Sequence, residues 1–207
     1  MKLNWAERWV VNNFARVFEQ RIQIRWFNKM LPLAPGAKIL EIGCGRGAGA
    51  AIIAKQFKPA ALQAMDLDFG MILKAQKYLL PVKHNRVSFF TADALHLPCR
   101  DECVDAVFGF GVLHHIPDWR SAVGEIARVL KPGGAYYVEE LYPSLYQNFI
   151  TKHILLHPEE DRFFGPELKR ALNQAGLFLK QAVEIKLAGI LAVFIKGISE
   201  TGASTNS

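Results

Sequence analysis

A doubly wound α/β fold, an open and mostly parallel sheet with helices on both faces, is what this sequence predicts. Three observations carry that expectation. From residue 35 onward, short apolar runs alternate with segments of helical period. Most of those runs are apolar throughout, as strands covered on both faces must be. The first run also feeds directly into a glycine-rich turn that opens a helix, the strand–turn–helix unit of parallel sheets. A chain of 207 residues suits one such domain, and 51% hydrophobic with 21% charged residues excludes wholesale disorder.

Taken in order, residues 6–23 form an amphipathic helix when placed at 100° per residue. Val10, Val11, Phe14, Val17, Phe18 and Ile22 fall on one side, and Arg8, Asn12, Arg16, Glu19, Gln20 and Gln23 on the other. Arg8, Arg16, Arg21, Arg25 and Lys29 outweigh Glu7 and Glu19, with Trp5 and Trp26 at the flanks. Such a helix can lie on an anionic membrane, lid an apolar pocket, or simply dock on the core with its arginines solvated. Strands are expected at 38–42, 61–65, 87–90, 104–110 and 135–139, and helices at 48–57, 69–80 and 118–130. Lys131-Pro132-Gly133-Gly134 marks a sharp stop and turn before the fifth strand. A long aromatic connection over 141–164 precedes a helix at 166–175. Strands at 177–185 and 187–196, joined tightly, make an antiparallel pair at the edge of the sheet. The divisions are therefore an N-terminal helical extension (1–34), the α/β domain (35–197) and a small polar tail (198–207).

Lys and Arg number 25 against 19 Asp and Glu, a net charge of +6 that permits attraction to anionic partners. No stretch reaches the roughly 20 apolar residues of a membrane span. No signal peptide is expected, because Glu7, Arg8, Arg16, Glu19 and Arg21 interrupt the apolar N-terminal stretch. Three cysteines make no complete disulfide framework, so a reduced, cytoplasmic chain is the simplest expectation. Cys99 and Cys103 lack redox or zinc spacing, His153 and His157 lack a third ligand, and no metal is expected.

The sharpest signal is ILEIGCGRGAG at 39–49. Gly43 and Gly45 remove side chains where the chain reverses, so a ligand can approach the backbone. On its own this also satisfies a dinucleotide fingerprint. Asp66, after the second strand, stands where a carboxylate can accept both ribose hydroxyls. Asp93, beside Ala94, can accept from an exocyclic adenine amine, and Glu41 adds a third carboxylate. An acidic lining suits a ligand with an ammonium or sulfonium and suits a pyrophosphate poorly.

With MDLD (65–68), TADALHLP (91–98), VDAVFGFGVLHHIPD (104–118), ARVLKPGGAYYVEE (127–140) and FFGPELKRALNQAGL (163–177) in the same order, the chain resembles the class I S-adenosylmethionine-dependent methyltransferases. It stands nearest the broad group of ubiquinone/menaquinone C-methyltransferases and related small-molecule and lipid enzymes. The resemblance implies seven strands with the last antiparallel and S-adenosylmethionine as cofactor. It places Gly43, Gly45 and Gly47 against the methionine part, with Glu41 behind them. Asp66 takes the ribose, Leu67 packs on the adenine, and Asp93 with Ala94 reads the adenine amine. The backbone at Gly109 and Phe110 faces the amino acid moiety. Gly109-Phe110-Gly111-Val112 stands where amine-methylating relatives carry an Asn- or Asp-Pro-Pro-aromatic motif, which argues against planar amine acceptors.

Methyl transfer from a sulfonium is an in-line displacement, helped mainly by alignment and exclusion of water. His115, with His114 beside it, is the candidate catalytic residue if the acceptor must lose a proton. Tyr142 and Tyr146 are candidate substrate-binding walls. The expected acceptor is an apolar or amphiphilic small molecule, lipid or quinone-like, with peripheral contact at the membrane inner face through the N-terminal helix. The alternatives are methylation of a polar metabolite or RNA base, a non-catalytic cofactor-binding module, and a nicotinamide oxidoreductase. With its positive charge spread out, the chain is not expected to bind nucleic acid.

Overall fold

The computed structural model describes residues 14–80, 86–146 and 162–198. Its elements are α1 (Phe14–Met30), β1 (Lys38–Ile42), α2 (Ala48–Phe57), β2 (Ala61–Asp66), α3 (Phe69–Leu79), β3 (Val87–Thr91), β4 (Val104–Phe110), α4 (Trp119–Val129), β5 (Leu130–Leu141), the single-turn α5 (Pro143–Tyr146), α6 (Gly165–Gln174), β6 (Leu177–Ile185) and β7 (Gly189–Lys196). The seven strands form one sheet in the order β3-β2-β1-β4-β5-β7-β6. β1 to β5 are parallel, and β7 runs antiparallel between β5 and β6. The chain moves outward from β1 to β3 and then returns to lay β4 on the other side of β1. The carboxyl ends of β1 and β4 therefore flank the crevice where doubly wound sheets bind ligands.

Burial on both faces explains the apolar strands. On one face Ile24 and Phe27 of α1, Ile53 of α2 and Ala75 of α3 pack against Ile39, Phe108, Tyr137 and Val193. Phe108 and Tyr137 stack at 4.4 Å, and Phe27 meets Tyr137 edge-on at 5.3 Å. On the other face Trp119 and Ile126 of α4 and Leu168 and Leu172 of α6 cover Leu40, Val107, Tyr136 and Val138. Asp68 and Asp118 cap α3 and α4, accepting from the backbone N–H of Gly70 (2.8 Å) and Ser121 (3.1 Å). Among the described residues, no helix is long and apolar enough to cross a membrane.

Two expectations change. β5 begins at Leu130 rather than 135, because Leu130 already pairs with Val104 and the 131–134 turn is absorbed as an irregularity in the ladder. In α1 the buried side is Val17, Gln23, Ile24 and Phe27, while Phe18 and Ile22 are exposed. Arg16 leaves the solvated side because it pairs with the buried carboxylate of Glu139. α1 also runs on to Met30, and its inward face shares one core with the sheet. Residues 6–13, His153, His157 and the tail from 199 lie outside the described residues.

Candidate active site

The turn after β1 is built from glycine by necessity. Gly43, Gly45 and Gly47 have φ of +68°, +53° and +84°, in the left-handed region that favours glycine. A Cβ on Gly43 would lie 2.5 Å from Val112 Cγ2, so the turn also passes tightly under the loop that follows β4. Gly43→Ala is therefore expected to cost about 2 kcal/mol through backbone strain and displacement of Val112. It should also weaken binding of S-adenosylhomocysteine more than tenfold, measured by thermal unfolding and calorimetric titration. Gly47 starts α2 without a side-chain cap hydrogen bond.

Asp66 holds the turn from the next strand. Its Oδ2 accepts from Gly45 N–H at 2.9 Å and its Oδ1 from Asp68 N–H at 2.9 Å. Burial raises the Asp66 carboxyl above its ordinary range despite those two bonds. Glu41, one residue before the end of β1, is buried, and its Oε2 has no hydrogen-bond partner. Burial, with the nearby charge of Asp66, pushes Glu41 up to about 8. Gln20 of α1 reaches the same spot: a Cβ on Gly49 would collide with Glu41 Oε1 and lie 3.5 Å from Gln20 Nε2. Two carboxylates, one with a buried oxygen that has no partner, beside a glycine cradle call for a cation. The ammonium and sulfonium of S-adenosylmethionine fit that demand, and the pyrophosphate of a dinucleotide does not.

Leu67 is exposed beside Asp66, and Asp93 is exposed at the end of β3 with Ala94 buried behind it. Asp93 Oδ1 accepts from Leu95 N–H at 2.9 Å, which shapes its turn. Arg128 and Glu125 of α4 fix the following loop, through Arg128 Nη2 to Leu97 O (3.0 Å) and Leu97 N–H to Glu125 (2.7 Å). Gly109 is small because Tyr136 lies over it, with the phenol oxygen 3.1 Å from where a Cβ would stand. Phe110 turns its ring into the core, 6.1 Å from Phe27, so only its backbone borders the crevice.

Beyond β4 the histidines differ. Glu140, fully buried at the end of β5, accepts from the N–H groups of Val112 (3.0 Å) and Leu113 (2.8 Å). The same carboxylate holds His114 Nδ1 at 2.7 Å. Its neighbour Glu139 points to the opposite face of the strand, where Arg16 donates to it through Nη1 (3.2 Å) and Nη2 (2.7 Å). His114 Cε1, Arg16 Nη2 and Glu139 Oε2 all lie within 3.6 Å of where a Cβ of Gly111 would stand. His115 packs its ring on His114 at 4.2 Å. Tyr142 is buried, and its hydroxyl donates to Glu184 at 2.6 Å, tying the end of β5 to β6. The side chain of Tyr146 lies outside the described residues.

Glu41, Gly43, Gly45, Gly47, Asp66, Leu67, Asp93 and Gly109 thus lie at or just beyond the carboxyl ends of the adjacent strands β1 to β4. Sequence reasoning gave no role to Arg16, Gln20, Glu139 or Glu140. For the glutamates the signal was two acids directly after the apolar run Ala135–Val138 of β5.

Comparison with known proteins finds methyltransferases by sequence and by fold. A family profile described as a methyltransferase domain matches residues 40–138. A phthiotriol/phenolphthiotriol dimycocerosates methyltransferase of Mycobacterium tuberculosis is 34% identical over 110 residues, 53% of this chain and 39% of that protein. A fatty-acid O-methyltransferase of Mycolicibacterium smegmatis is 34% identical over 144 residues, 69% of this chain and 44% of that protein. The chain thus spans about two fifths of the length of these curated relatives. Among solved structures, a SAM-dependent methyltransferase of Aquifex aeolicus superposes with a TM-score of 0.72 at 17% identity, covering 94% of this chain and 99% of that one. A Haemonchus contortus phosphoethanolamine N-methyltransferase 2 with bound S-adenosylhomocysteine gives 0.74 at 16% identity, covering 94% and 57%. These structural likenesses establish the fold.

Proposed function

We propose that this chain, a member of the class I S-adenosylmethionine-dependent methyltransferases, transfers the methyl group of its cofactor to an apolar or amphiphilic acceptor of lipid type. The observation that carries the donor half is the buried carboxylate of Glu41, whose Oε2 has no hydrogen-bond partner, beside the Gly43–Gly47 cradle. When bound, S-adenosylmethionine supplies a methyl group already activated on a sulfonium. Glu41 would take its ammonium, Asp66 its ribose and Asp93 its adenine amine, with Leu67 against the base. The chain's own contribution is alignment and exclusion of water at the ends of β1 and β4.

The acceptor half rests on the two relatives, whose names specify a phthiotriol lipid and a fatty acid. The absence of an Asn- or Asp-Pro-Pro motif after β4 supports the same choice. Where the acceptor is a hydroxyl, His114, with Nδ1 held by Glu140, or His115 stacked beside it would receive the acceptor proton. The protein would work at the cytoplasmic face of a membrane, reached through α1.

The test is transfer from methyl-labelled S-adenosylmethionine into an extract of the source organism, split into organic, aqueous and macromolecular fractions. Asp66→Ala, which removes the ribose contact and the anchor of Gly45, serves as the control. Label is expected in the organic fraction and lost in the control. Label confined to RNA, protein or aqueous metabolites would overturn the lipid acceptor, and no label in any fraction would overturn the transfer itself.

A further inference from the structure

We infer that the outer face of α1, together with the side of β6 that α1 leaves exposed, docks on an anionic lipid surface. The inference rests on the lipid-acceptor reading above and names the surface that would deliver such an acceptor. Along α1, Phe18, Arg21, Ile22, Arg25 and Lys29 are exposed and recur at three- and four-residue intervals. They form a single helix face opposite Ile24 and Phe27, which anchor the helix in the core.

A second element presents apolar side chains on the same side of the sheet. Val193 of β7 packs in the core cluster of Ile24 and Phe27. The register sets Gln181 opposite Val193, Val183 opposite Leu191 and Phe178 opposite Ile195. Because side chains alternate along a strand, Phe178, Val183 and Ile185 all point to the side that α1 occupies. They are 49%, 48% and 66% exposed, whereas α6 buries its Leu168 and Leu172 on the opposite side. Large apolar groups and three cations, presented on the same side of the sheet by α1 and by the edge strand β6, make an interfacial surface.

Charge selects the occupant. Glu19 is the acid bordering the described helix face, and it is engaged by Arg16 at 2.9 Å. A second copy docking through this patch would oppose Arg21, Arg25 and Lys29 to themselves under two-fold symmetry, which like charges disfavour. An anionic bilayer accepts both the cations and the apolar side chains. Because α1 also carries Arg16 to Glu139, a docked helix borders the crevice where the acceptor must enter.

The test is co-sedimentation of the full chain with vesicles of phosphatidylglycerol and phosphatidylcholine in equal parts, against phosphatidylcholine alone. Binding is expected to the anionic vesicles only and to weaken with salt. Arg21→Glu/Arg25→Glu/Lys29→Glu should lower it a hundredfold or more. Val183→Thr/Ile185→Thr, which keeps strand-forming residues, should lower it roughly tenfold. Stabilisation by S-adenosylhomocysteine is read on every variant. Its retention shows that the fold and the cofactor site survive, so loss of vesicle binding is specific to this surface. Equal binding to both vesicle types, or unchanged binding by the charge-reversed variant, would overturn the inference. So would no vesicle binding together with a dimer that the β6 substitutions dissociate. Failure of S-adenosylhomocysteine to stabilise the wild-type chain would instead overturn the methyltransferase reading.

Discussion

Glu41→Gln is expected to make the protein more stable without ligand and to weaken its cofactor binding. The carboxyl of Glu41 is pushed from 4.5 to about 8 by burial and then by the charge of Asp66, with the Cys44 thiol beside them. An acid whose folded pKa lies above its unfolded one favours the fold only while protonated. Its contribution is full below pH 4.5 and is lost as pH rises toward 8. At pH 7 that loss amounts to about 3 kcal/mol. Glutamine removes the charge but keeps polar atoms to satisfy, so a gain of about 1–2 kcal/mol at pH 7–8, fading below pH 5, is the expected result. Binding runs the other way. An ammonium seated on Glu41 requires the ionised carboxylate, so affinity for S-adenosylhomocysteine should rise by up to tenfold per pH unit between pH 6 and 8. The glutamine variant should lose that slope and bind on the order of 10- to 100-fold more weakly. Thermal unfolding and calorimetric titration at pH 5, 7 and 8 check both halves. A variant less stable than wild type at pH 7, or a wild type with flat affinity across this range, would refute the assignment of Glu41.

This opposition explains which features could be read from sequence alone. The glycine turn was legible because its demands are local: three positive φ angles at Gly43, Gly45 and Gly47 need no distant partner. Strand positions were legible for the same reason. Burial on both faces writes itself as an apolar run, and the observed bounds of β1 and β4 coincide with those runs. What escaped depends on contacts across the chain. Period alone put Arg16 and Gln23 on a solvated face and Phe18 and Ile22 on a buried one. The direction of α1 is instead set by Ile24 and Phe27 and by a carboxylate 123 residues away. Of the two adjacent candidate histidines, His114 turns its ring to the buried Glu140, a contact that only the packed sheet reveals. A strand ending in two acids offers opposite faces to its neighbours, and only the packed sheet shows which neighbour each acid receives.

That long-range pair is where the second large effect is expected. Arg16→Met should destabilise the fold by about 3 kcal/mol and loosen α1, because it leaves the nearly buried carboxylate of Glu139 without its cation. Burial works against the charge on Arg16, but pairing with Glu139 and then Glu19 more than offsets it, so the guanidinium is held above its ordinary range. Glu139→Gln alone should cost less, since Arg16 keeps Glu19 at 2.9 Å and an amide acceptor in place. Combining the two removes the uncompensated charge, so the double variant should be clearly more stable than the sum of the single effects, with a coupling of about 2 kcal/mol. Hydrogen exchange should report the same coupling locally, with protection lost across Phe14–Met30 in Arg16→Met and largely restored in the double variant. A cost below about 1 kcal/mol, or strict additivity, would reduce the pair to an ordinary surface contact. Coupling of the expected size would instead make it the fastening that holds α1 across the ends of β4 and β5. In that case Arg16→Met should also weaken S-adenosylhomocysteine binding, because Gln20 would leave its place beside Glu41 and Gly49.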